Sequence, residues 1–118
     1  MGMLYYLRIG ERLYDTYYDK EKLIEAIQTV STLFPNVLCT IRHKNNKLWK
    51  NMPVYLGGVE FTPDKVYYKI TNKEASHLCQ VYACEKPEEI APILRDWHNK
   101  NIHTNLYIWK NNDWKVVQ

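Results

Sequence analysis

Long apolar runs are missing from this chain of 118 residues. None approaches the roughly 18 apolar residues that a membrane-spanning helix needs. Met1-Gly2-Met3-Leu4 opens a strand-like segment and lacks the pattern of a signal peptide. The expectation is a soluble, cytoplasmic protein with no membrane partner. Cysteine is scarce and odd in number: Cys39, Cys79 and Cys84 cannot all pair within one chain. That count argues against a secreted disulfide framework and for reduced thiols.

The usual catalytic signatures are missing too. There is no Gly-rich phosphate loop, no Gly-x-Ser-x-Gly elbow and no His-Glu-x-x-His helix. Glu88 and Glu89 are neighbours on a predicted helix, about 100° apart, so they do not face each other as an acid–base pair. Cys39 and His43, four apart on a predicted strand, stand about 13 Å apart, too far for a nucleophile and its base. A protein without enzymatic activity and without a cofactor is expected.

One further absence is local. No acidic residue occurs between Glu25 and Glu60, while Arg42, Lys44, Lys47 and Lys50 fall within nine positions that also hold His43 and Trp49. The formal net charge is +3, and all of the excess lies in residues 1–59, with eight basic against five acidic residues. A hairpin carrying cations beside an aromatic ring suits phosphates and a stacked base. Lysines at a hairpin tip also serve solubility and edge protection, which is the plainer reading.

What the chain has in excess is aromatic: ten Tyr, four Trp and two Phe, 14% of the residues. Such a content excludes wholesale disorder. A domain of this length buries about two-thirds of the surface its unfolded chain exposes, enough to fold without metal or disulfide. Tyr5-Tyr6, Tyr17-Tyr18 and Tyr67-Tyr68 are adjacent pairs on predicted strands. Strand alternation sends one ring of each pair inward and the other outward. Exposed Tyr and Trp are the residues that anchor interfaces.

The order of elements reads as a repeat. Residues 3–18 form a predicted hairpin around Gly10-Glu11, and Asp19 is placed as the N-cap of a helix. Leu23, Ile24, Ile27, Val30 and Phe34 draw its apolar stripe, which Pro35-Asn36 ends. A strand from Val37 to Arg42, a turn at Lys44-Asn45-Asn46 and a return strand from Lys47 to Lys50 follow. From Val66 the order recurs: hairpin, a helix opened by Pro87, a strand from Ile102 to Trp109, the turn Asn111-Asn112 and a last strand. Pro92 conflicts with a helix that starts at Pro87, so that helix is kinked or its regular part begins later. The joining segment 51–65 carries Gly57-Gly58 between apolar runs, a tight-hairpin signal. The expectation is a single α+β domain, mainly antiparallel, built as a pseudo-duplicated ββαββ unit: half-repeat 1–50, connector 51–65, half-repeat 66–118.

Cys79-x4-Cys84-x13-His98-x4-His103 has a spacing near that of a two-Cys, two-His zinc site. Its thiolate knuckle, Gln80-Val81-Tyr82-Ala83, is strand-like where a turn is required, and positions 79 and 84 face opposite sides of a strand. These four are metal candidates of last resort. The sequence therefore points first to a small binding module using an aromatic, mildly basic sheet surface, with Tyr5, Tyr6, Tyr67 and Tyr68 as its residues. Its partner is another protein or a second copy of itself. The alternative is a nucleic-acid contact through the hairpin 42–50, using Arg42, Lys44, Lys47, Trp49 and Lys50.

Overall fold

The computed structural model describes residues 4–43, 45 and 47–117. Two helices and two antiparallel sheets make an α+β fold. The chain divides into two compact units, Met1–Phe61 and Thr62–Gln118.

In the first unit, β1 (Tyr5–Ile9) and β2 (Arg12–Tyr17) turn about Gly10, whose φ of 59° suits a residue without Cβ. The helix α1 (Lys20–Leu33) follows. The Asp19 carboxylate accepts the Glu21 N–H at 2.9 Å, the predicted cap. Phe34 closes the helix, its N–H reaching the Val30 carbonyl at 3.2 Å, and Pro35 ends the segment. β3 (Leu38–His43) then pairs with β1, and β4 (Tyr55–Leu56) and β5 (Val59–Glu60) complete the sheet order β2-β1-β3-β4-β5. Leu23, Ile27 and Val30 bring the buried side of α1 onto Tyr5, Leu7, Cys39 and Ile41. Ser31 is buried on that side as well. Its hydroxyl accepts the Gly58 N–H at 2.9 Å and bonds the Cys39 sulfur, so it leaves no polar group unmade.

Two sequence expectations change here. The predicted return strand from Lys47 to Lys50 is reduced to a single bridge between Arg42 and Leu48. Asn51 adopts a left-handed φ of 63° and turns the chain, and Pro53 has no N–H to offer a ladder. Pairing with β3 resumes only at Tyr55. The Gly57-Gly58 hairpin forms as predicted, with φ of 59° and 84°, but it extends the first unit's sheet. The boundary between units accordingly falls after Phe61 instead of spanning residues 51–65.

The second unit contains β6 (Val66–Asn72), β7 (Ala75–Cys84), α2 (Ile90–Asn99), β8 (Thr104–Lys110) and β9 (Asp113–Val117), with sheet order β7-β6-β8-β9. Asn111 and Asn112 both take left-handed φ, at 55° and 59°, which makes the tight turn between β8 and β9. A 3-10 turn at Pro87–Glu89 precedes α2, so Pro92 is the third residue of the α-helix. First-turn N–H groups have no acceptor within a helix, so proline breaks no bond there. That resolves the conflict at Pro92 without a kink. Ile90 packs on Tyr68, Ile70 and Cys84, with Ile93, Leu94 and Trp97 beside them. The first unit runs strand, strand, helix and then three strands, the second strand, strand, helix, strand, strand, and in both the first and third strands are neighbours. This is a likeness of topology and does not establish a duplication.

Candidate functional site

The segment that follows β3 folds back without forming a strand. The His43 N–H donates to the Lys47 carbonyl at 2.8 Å, and the Trp49 N–H donates to the Ile41 carbonyl at 3.0 Å. Asn45 Oδ1 accepts the Lys47 N–H at 3.3 Å, a side-chain turn of the kind asparagine favours. These bonds fix Trp49 against the rim of the core. Its ring meets Tyr5 edge-on, with centroids 5.0 Å apart at 70°, and stacks on His43 at 4.5 Å and 11°. Tyr5 lies directly across from His43 in the β1–β3 register, so three aromatic rings come from three separate stretches of chain.

Beside them lies a cavity of about 540 Å³. His43, Trp49 and Met52 line it together with Lys20, Lys47 and Lys50. Lys20 is the first residue of α1, and the other two lysines flank Trp49 in the chain. No acidic side chain is in the lining, and none of these lysines forms an ion pair among the described residues. His43 Nδ1 is shielded from solvent and lacks a hydrogen-bond partner among the described residues.

The structure separates the residues proposed from sequence. Lys47, Trp49 and Lys50 come together, joined by Lys20 and His43. Lys44 lies outside the described residues. Arg42 pairs with Tyr6, so these two share the sheet face away from Tyr5 and His43 and do not line the cavity. Tyr5 is buried, as alternation predicts for one ring of its pair, and Tyr6 is half-buried.

The other tyrosine pair corrects the expectation. Tyr67 and Tyr68 are 2% and 5% exposed, so neither ring offers a surface. The expectation assumed that one face of the sheet is solvated, whereas β6 is a central strand with Tyr67 to Thr71 all buried. Tyr68 lies in the cluster with Ile90 of α2, and the Tyr67 hydroxyl accepts the Thr62 N–H at 2.7 Å.

The metal candidates also disperse. Cys84 is in the α2 core cluster, while Cys79 points to the other face of β7. His98 and His103 line a different cleft of about 340 Å³, in company with Lys73. No group of three or more His, Cys, Asp or Glu among the described residues could hold a metal ion. Likewise, no described helix is long and apolar enough to cross a membrane.

Lys20 was not legible from sequence as a site residue. It sits 27 positions from Lys47, and only the packing of α1 against the β1–β3 pair brings it to the hairpin. No family model matches the chain, and neither does any curated protein or solved structure.

Proposed function

We propose that the first unit is a non-enzymatic binding module for nucleic acid, which it holds by phosphates and one stacked base in the cavity beside Trp49. The observation that carries this reading is the convergence of Lys20, Lys47 and Lys50 on an aromatic pair with no carboxylate in the lining. Like charges gathered without counter-charges raise the local positive potential, which attracts an anion. Lysines follow a phosphate backbone without demanding a sequence, and aromatic faces accept any base. A single strand is the natural ligand, since its bases are free to stack. The burial of Tyr5, Tyr67 and Tyr68 weighs against the aromatic sheet surface as a docking site for another protein.

Binding of this type has a dissociation constant of about 1–100 µM at physiological salt. Anisotropy titration of a labelled single-stranded oligonucleotide tests the proposal. The Lys47→Ala/Lys50→Ala double variant should bind at least about tenfold more weakly than wild type. Equal binding by the two proteins would rule the site out.

A further inference from the structure

Several exposed apolar side chains of the first unit lie at the outer edge of its sheet. Leu13, Tyr14 and Phe34 are 55%, 47% and 41% exposed. The Tyr14 and Phe34 rings meet edge-on with centroids 6.4 Å apart, and the two residues line a groove of about 210 Å³ with Ile9, Arg12 and Leu13. β2, which supplies most of this groove, is the terminal strand of its sheet.

The pairing of β2 with β1 gives that edge a particular arrangement of charge. Leu7 lies opposite Asp15, but Arg8 lies opposite Leu13, so Tyr14 is the extra residue of a β-bulge. Without the bulge, Arg12 and Asp15, three apart, would face opposite sides of the sheet. With it, Arg12 opposite Ile9 and Asp15 opposite Leu7 fall on one side, the side packed on α1. Leu13, opposite Arg8, faces the other side, so on this face the strip reads Arg12, then the Tyr14–Phe34 ring pair, then Asp15. Both charged residues are exposed, and neither is ion-paired among the described residues. A bulge also spoils the edge as a template for strand addition, which leaves side-chain docking as the use of this surface.

We propose that this strip docks against the same strip of a second copy of the chain. A two-fold axis beside Tyr14 sets the strips antiparallel. Tyr14 and Phe34 then pack on their counterparts, and Arg12 of each copy meets Asp15 of the other. A strip with opposite charges at its two ends is complementary to itself, which an apolar patch alone is not. The resulting contact leaves the cavity beside Trp49 outside it, so association does not depend on the nucleic-acid reading.

Sedimentation equilibrium of nucleic-acid-free protein, over roughly a hundredfold range of concentration up to about 0.5 mM, tests this. Wild type should sediment as a monomer–dimer equilibrium. Tyr14→Glu, with an unchanged far-UV circular dichroism spectrum, should remain monomeric. Arg12→Asp and Asp15→Arg should each weaken the dimer by at least about tenfold, and the protein carrying both should recover to within about threefold of wild type. The proposal is overturned if wild type stays monomeric throughout, if Tyr14→Glu still dimerises, or if the double reversal does not recover.

Discussion

Trp49 has two tasks, and they respond differently to substitution. Its stack on His43 and its edge contact with Tyr5 hold the hairpin to the core, while its place in the cavity lining makes it the proposed platform for a stacked base. Trp49→Ala should weaken oligonucleotide binding by about 1–3 kcal/mol, the scale of one lost base–aromatic stack. Trp49→Phe keeps a ring and should retain most of the affinity. A titration in which both variants bind like wild type would show that no base stacks there.

Cys39 offers a test of the core beneath the site. Burial raises its thiol above the ordinary 9.0, and the Ser31 hydroxyl offsets part of that rise. The folded protein thus keeps this proton to higher pH than the unfolded chain does. The stabilisation is fully present below about pH 9 and is lost as pH rises through the folded value. The fall in the urea midpoint between about pH 8 and pH 10 should therefore be smaller in Cys39→Ala than in wild type. An equal fall in both would contradict the burial of the thiol.

Among the elements, the ones with local chemistry were readable from the residues. Asp19 caps α1, Gly57-Gly58 turns a hairpin and Asn111-Asn112 turns another, each through a backbone requirement confined to a few positions. The return strand from Lys47 to Lys50 was not, because Asn51 and Pro53 redirect the chain just beyond it. Gly58 shows how closely such a turn is built into the packing. Its φ is +84°, and a Cβ there would approach the Thr32 Oγ1 to 2.3 Å. Gly58→Ala should destabilise the first unit by about 1–3 kcal/mol, read as a shift in the urea midpoint with an unchanged slope. An unshifted midpoint would show that the turn relaxes freely.

At the scale of the whole molecule, charge was legible and burial was not. The run from Glu25 to Glu60 without an acid is visible in the sequence, and the structure turns part of it into one cavity wall. The fate of Tyr67 and Tyr68 depends on what a central strand meets on both faces, which alternation along a single strand does not encode. For the same reason Lys20 entered the site only through packing, whereas alternation along β7 already placed Cys79 and Cys84 on opposite faces and told against the zinc-like spacing. A modest net charge of +3 is compatible with binding because the cations that count are concentrated in one place.

The salt dependence of single-strand binding tests the central claim most directly. Three lysines on phosphates give a log–log slope of about −2 for a single strand, and removing Lys47 and Lys50 should leave about −0.7. A wild-type slope near zero, or one that the double variant leaves unchanged, would contradict the assignment of this cavity to nucleic acid.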